Sequence, residues 1–199
     1  MQHETVLRAR ARFFHDAGFA ADGGYDDPWA EADFGLLRYR VPNGPRRAAA
    51  LRLHDLHHVA TGYATDWRGE SEISAWELAS GGAKTTVYAW LIALWGIFVG
   101  LVLHPGPTLR AFARGRGSRN LYGLRFDPRW LSLSVEQLQA ELRVQPERDP
   151  TPADLVAFAP WAAASVLLGL DSLLPALALV GLASARDLLT CPLGCAGAR

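Results

Sequence analysis

Strand-like alternation of apolar and polar residues is weak along this chain, and glycines and prolines divide it into stretches of helical length. That pattern predicts an all-α protein. A first helix is expected over residues 4–16, ending before Gly18, and a second from Asp27-Pro28 to about Arg40, with proline in its first turn. Asn43-Gly44-Pro45 reads as the start of a third, whose body RRAAALRLHDLHHVAT stops at Gly62. Asp66 reads as the cap of a fourth, WRGESEISAWELAS, closed by Gly81-Gly82, so these two helices should form a hairpin turning at 62–65. Residues 85–103 contain no charged side chain and end at His104-Pro105-Gly106-Pro107; about 19 residues suits either a bilayer span or a buried helix. Ser134 followed by Gln137 marks another helix start. Past the polar stretch 145–150, a second apolar region is interrupted by Pro160, Asp171 and Pro175, which predicts two shorter helices or a membrane-embedded hairpin. The expected organisation is a compact helical domain over 1–147 and an apolar helical extension over 148–199, a possible membrane anchor.

Composition narrows the setting. Half of the 199 residues are hydrophobic and a fifth charged, which allows a sizeable core and excludes a disordered chain. Twenty Lys plus Arg balance twenty Asp plus Glu, so no overall basic field argues for nucleic acid. A mean hydropathy of +0.04 with seven tryptophans brings membrane contact into consideration. Cys191 and Cys195 stand alone near the C-terminus, without the second pair that a zinc module needs, and fit a reducing compartment. The first residues carry arginines but no apolar run of roughly 7–15 residues, so they do not read as a signal peptide.

The candidate chemistry lies in the third helix. At about 100° per residue, His54, Asp55 and His58 fall at about 0°, 100° and 40°, within one sector. Two imidazoles at i and i+4 can reach one ion at about 2.0–2.2 Å. Glu70, in the first turn of the next helix, would be returned across them by the hairpin. Two imidazoles with two carboxylates suit a divalent metal, zinc first, with iron or manganese compatible with the same donors. An isolated His-x-x-x-His is commonly just part of a helix surface or core, and it is the added Asp55 and Glu70 that favour a metal. His57 points elsewhere and is expected to be an outer partner or exposed. Glu72 and Glu77 are expected in helix-surface pairs, with Glu77 on the Glu70 face as a second candidate for an outer partner.

The string H-D-x-x-H-x11-E (His54, Asp55, His58, Glu70) inside LHDLHHVATGYATDWRGE resembles the signature of the Coq4 family of ubiquinone (coenzyme Q) biosynthesis proteins. The apolar helix after Ser80 and the block ARGRGSRNLYGLRFDPRWLSLSVEQLQAELRV resemble the family's later segments, so the likeness covers roughly residues 13–144. Beyond Thr151 the chain departs from the family pattern. The resemblance implies an α-helical fold, association with a membrane surface, and a divalent metal held and used by His54, Asp55, His58 and Glu70. It also implies membership of a multiprotein complex with other ubiquinone biosynthesis proteins. The implied activity is removal of the C1 carboxylate from a polyprenylated 4-hydroxybenzoate-type ring, oxidatively or not. The rival reading is a non-catalytic scaffold that binds prenyl lipid. Helical His-Asp phosphohydrolases share a His-Asp pair, but no convincing further ligand set is visible here.

A polyprenyl tail needs an apolar channel or the bilayer itself. The apolar helix can wall such a channel with Trp90, Trp95, Gly96 and Gly100, or simply fill the core; Gly96 and Gly100 also form a G-x-x-x-G that can pack helices or pair two copies of the chain as a homodimer. Arg114, Arg116 and Arg119 form a basic cluster suited to a substrate carboxylate or a lipid headgroup, or to a solvated loop. The expected location is the cytoplasmic face of the inner membrane, peripheral or anchored by the C-terminal region.

Overall fold

The computed structural model describes residues 4–33, 38–84 and 87–190. Cys191 and Cys195 lie outside them. The described chain is all-α, with seven helices and one small hairpin: α1 (Val6–Asp16), β1 (Trp29–Asp33), β2 (Arg38–Pro42), α2 (Pro45–Thr61), α3 (Trp67–Ala79), α4 (Val87–Leu103), α5 (Pro105–Gly115), α6 (Val135–Glu141) and α7 (Pro152–Thr190). A short 3-10 turn, Pro128–Ser132, precedes α6.

Local chemistry accounts for most helix ends. Thr5 caps α1, and Asp66 caps α3 by accepting from the Gly69 N–H at 2.7 Å. Ser134 and Gln137 make a reciprocal capping box on α6. Gly62 ends α2 at φ +80°, a left-handed conformation that L side chains rarely adopt, and its N–H returns to the His58 carbonyl at 2.8 Å.

Two expectations are corrected. The helix expected from Asp27-Pro28 to about Arg40 is instead the antiparallel β1–β2 pair, in register Trp29↔Pro42 to Asp33↔Arg38. Its base is tied by Asn43, whose Nδ2 donates to the carbonyls of Gly24, Tyr25 and Asp27. The C-terminal region is a single helix of 39 residues rather than two pieces, and it runs through Pro160 and Pro175. Packing holds its first half: Trp161 stacks on Trp90 with ring centroids 5.6 Å apart, Phe158 meets Phe112 at 4.9 Å, and Gly169 lies against Phe98. Asp154 closes its first turn, accepting from Thr151, Arg148 and Arg116 while buried.

The core is centred on α3, which packs against α4 and α5. Ile73, Ala75 and Trp76 are fully buried there, with Leu56 and Ala60 of α2, Ile97 of α4, Phe112 of α5 and Leu138 of α6 in the same cluster. Such surrounded helices bury polar side chains as well as apolar ones, and α3 buries Ser71, Ser74 and Glu77. Buried Glu77 therefore requires partners, which α2 supplies.

Candidate metal centre

The 62–66 turn sends α3 back along α2. Gly69 is indispensable to that return, because a Cβ there would collide with the Ala64 carbonyl. The result places Glu70 beside His58 and Glu77 beside His54. The ligand atoms of His54, His58 and Glu70 all lie within 4.8 Å of one another and can hold a metal ion. The two Nε2 atoms are 3.1 Å apart; Glu70 Oε2 is 3.7 Å from His54 Nε2, and Oε1 is 3.6 Å from His58 Nε2. Donors each about 2.0–2.2 Å from one tetrahedral ion would stand about 3.3–3.6 Å apart.

The hydrogen bonds behind the rings aim these atoms. His58 Nδ1 faces the Tyr63 carbonyl at 2.9 Å, an acceptor only, so the proton is on Nδ1. His54 Nδ1 donates to Glu77 Oε1 at 2.8 Å. With both Nδ1 atoms donating, two Nε2 atoms meet at a separation that requires a cation between them, a proton or a metal. Phe13 stacks on the His58 ring at 5.1 Å, and His58 is fully buried, whereas the Glu70 side chain is 37% exposed. A cavity of about 440 Å³, lined by Phe13, His58 and Tyr63 among others, opens beside His58.

Glu77 organises the site from below. It is only 4% exposed, and its Oε1 accepts from His54 Nδ1, His57 Nδ1 (2.6 Å) and the Tyr122 hydroxyl (3.0 Å). Burial alone would raise its carboxyl; the His54 charge and the bonds from both histidines outweigh burial and hold it well below the usual carboxylate range. Burial opposes protonation of His54, yet the Glu77 charge and hydrogen bonding to Glu70 and Glu77 raise it well above the ordinary histidine value. His58 is lowered to about 4, by burial first and then by the His54 charge. Without metal, the pair therefore holds one proton, on His54.

A metal must displace that proton. Above about pH 5, His58 is neutral and Glu70, held below its ordinary value by His54 and His58 against its burial, is ionised. Divalent-metal affinity is expected to rise about tenfold per pH unit above about pH 5 and to keep rising past about pH 6.5, because His54, raised well above its ordinary value, still holds the one exchangeable proton there. A zinc titration with a competing chelator at several pH values measures this, and a flat profile would contradict the protonation scheme.

Asp55 is corrected as a ligand. Neighbours on a helix diverge by about 100°, and the Asp55 carboxylate turns away from the group to accept from the Tyr25 hydroxyl, buried under the Arg52 guanidinium that lies 4.8 Å from the Tyr25 ring. Burial raises both the Asp55 carboxyl and the Tyr25 phenol. His57 is an outer partner, as one of the two expectations for it held: Nδ1 donates to Glu77, Nε2 accepts the Leu121 N–H at 2.8 Å, and no lone pair is left for a metal. Glu72 does pair, with Arg68 at 3.4 Å; Glu77 makes no such surface pair and is instead an outer partner, the second expectation for it. Its i+7 spacing from Glu70 inside the apolar run ISAWELA was the available signal; Tyr25, Tyr122 and Phe13 carry none locally.

The other expected sites disperse. Arg114 is buried, donating to the carbonyls of Gln145 (2.7 Å) and Thr61 (3.0 Å), and Arg116 is bonded to Asp154, so the arginine cluster is not a joint headgroup site; Arg119 lines a different surface hollow with Gln137 and Arg143. Gly96 and Gly100 are not channel walls, because a Cβ on either would strike Ser74 or Thr108: they are contacts of α4 with α3 and α5 inside one chain. Trp90 is held by its stack on Trp161 and by donation to the Lys84 carbonyl at 2.9 Å, and Trp95 packs on Phe98.

Fold and site define an all-α protein with a His-His-Glu group able to hold a metal ion. No family model, no curated protein and no solved structure matches the chain.

Proposed function

We propose that this protein is a metal-dependent enzyme of ubiquinone biosynthesis, of the kind its H-D-x-x-H-x11-E string resembles, acting on a polyprenylated 4-hydroxybenzoate-type acid. The observation that carries the reading is the convergence of His54, His58 and Glu70, from two helices, on one point, with His58 also lining an open cavity. His54 and His58 would hold zinc through Nε2, with iron or manganese compatible, and the more exposed Glu70 would complete the group. Bound there, a divalent metal supplies Lewis-acid stabilisation to the substrate carboxylate or to charge developing on the ring. Glu77 and the Tyr63 carbonyl keep the two Nε2 atoms aimed, and Phe13 shields the His58 face. Loss of the carboxylate as CO2 without oxidation leaves a ring carbon that takes up one proton. An oxidative version would need a redox metal or an external oxidant in addition.

Membrane association belongs to the same proposal, at the cytoplasmic face and beside other ubiquinone biosynthesis proteins. Among the described residues one helix, Pro152–Ser172 within α7, is long and apolar enough to cross a membrane by length and composition. Val156 (75% exposed), Leu167 (70%) and Val87 (70%) leave α7 and α4 with apolar surface that a prenyl tail or lipid can cover. That surface also supports the rival, a non-catalytic scaffold that binds prenyl lipid.

Incubation of the zinc-loaded full chain with prenylated 4-hydroxybenzoate labelled in its carboxyl group separates the two. The enzyme releases labelled CO2 with one decarboxylated ring per CO2. Binding of the prenylated acid without any release, with zinc, manganese or ferrous iron, would select the scaffold.

A further inference from the structure

A second cavity, of about 690 Å³, lies between the first turns of α2 and α4 and the segment 122–125. It shares no lining residue with the cavity beside His58, and none of the metal group lines it. Its volume falls within the range of about 300–1,000 Å³ typical of small-molecule sites. Arg46, Arg47 and Arg125 line it, and among the described residues no carboxylate does; the rest of that wall is apolar or aromatic apart from the Tyr hydroxyls.

The placement of these cations is locally unfavourable. Arg46 and Arg47 occupy the first turn of α2, which has no acidic residue, at the helix end where positive charge is disfavoured. A third guanidinium, on Arg125, faces the same space. Three like charges with no counter-charge among the described lining residues repel one another, and an anion relieves both effects.

One of the three arginines, Arg47, is also ordered beforehand. Arg47 donates from Nε to the Tyr88 hydroxyl at 3.1 Å and from Nη1 to Asn43 Oδ1 at 2.8 Å, and its guanidinium lies 5.5 Å from the centre of the Tyr88 ring. Among the described residues these bonds leave Nη2 uncommitted. Arg125 follows a turn closed by the Leu124 N–H to the Leu121 carbonyl at 3.0 Å, with Gly123 at φ +89°, and the turn is anchored through the Leu121 N–H to His57. Buried Leu53 and Ala50 form the floor, while Val87 and Leu124, 70% and 58% exposed, form an apolar lip.

We propose that this cavity binds an anionic amphiphile, its phosphate or carboxylate head on Arg46, Arg47 and Arg125 and its apolar body across Val87 and Leu124. Guanidinium forks match phosphate and carboxylate in two-point geometry, and the lip removes the adjoining methylenes from water. The site is independent of the metal reading.

Decyl phosphate, below its micelle concentration, is titrated into the full chain calorimetrically. Saturable binding is expected, at least tenfold tighter than inorganic phosphate, with no saturable binding of uncharged decyl maltoside. The double substitution Arg46→Gln/Arg125→Gln should weaken decyl phosphate at least tenfold and leave metal content at the wild-type level; Arg47 is spared because it also holds Asn43 and Tyr88. Should the double variant lose helicity, Arg125→Glu in the exposed turn alone is expected to weaken binding at least threefold. Displacement of decyl phosphate by phosphatidylglycerol vesicles would assign the head to a bilayer lipid, and its retention would assign a free amphiphile; both keep the site. Unchanged affinity in the folded arginine variants, or equal binding of decyl maltoside, would overturn the proposal.

Discussion

Glu77→Ala is expected to destabilise the protein by about 3–5 kcal/mol, the cost of removing one partner from a buried charged network. The carboxylate is the shared acceptor of His54, His57 and the Tyr122 hydroxyl, and its removal leaves three buried donors facing a void. The same change frees the His54 ring, and loss of an outer partner of this kind lowers metal affinity about 10–100-fold. Urea unfolding and a metal titration read the two effects separately. Glu77→Gln, which keeps the shape and one acceptor oxygen, should recover much of the stability while the metal affinity stays depressed, because the charge that raises the basicity of His54 is gone. If Glu77→Ala unfolded within 1 kcal/mol of wild type and bound metal normally, Glu77 would not be organising this site.

The second large effect falls on His58. Replacing it with alanine removes a ring nitrogen of the metal group itself, so the loss of metal affinity should exceed the roughly 10–100-fold that an outer partner costs. Under the proposed function, quinone production in a strain relying on this chain should fall to background. The fold should survive, because the His58 side chain has a single hydrogen bond to the rest of the protein outside the group, to the Tyr63 carbonyl, and far-ultraviolet circular dichroism should show wild-type helicity. Normal quinone production by a folded His58→Ala chain would contradict the proposed function.

Those two residues differ in how legible they are in the amino-acid sequence. His58 announces itself, because its spacing from His54 is a property of one helix, and the turn returning Glu70 is marked by Gly62 and Asp66, whose roles are local. Glu77 reads as one half of a surface pair or, from its place on the Glu70 face, as an outer partner. Its partners lie two turns up a neighbouring helix and, for Tyr122, 45 residues away, so only the packed structure shows that the charge is buried.

The same distinction explains the corrected elements. Asp27-Pro28 can open a helix or precede a strand, and the choice is made by Asn43 reaching three carbonyls across the hairpin and by pairing with a strand about ten residues on. Pro160 normally interrupts a helix, but aromatic contacts from Trp161 and Phe158 hold α7 on α4 and α5 on both sides of it. Arg114 and Arg116 cluster in the sequence with Arg119, yet each finds a separate partner from a distant segment: the carbonyls of Thr61 and Gln145, and Asp154. Spacing reveals what one element presents. It does not reveal which charges the rest of the chain has already neutralised.

The most direct measurement is the metal content of the purified full chain, by elemental analysis, beside that of Glu70→Ala. About one divalent ion per wild-type chain is expected after metal-replete purification, and its loss in the variant, since His54, His58 and Glu70 form the one group of this kind among the described residues. A wild-type chain that is folded and free of metal, or a Glu70→Ala chain that keeps its ion, would contradict it.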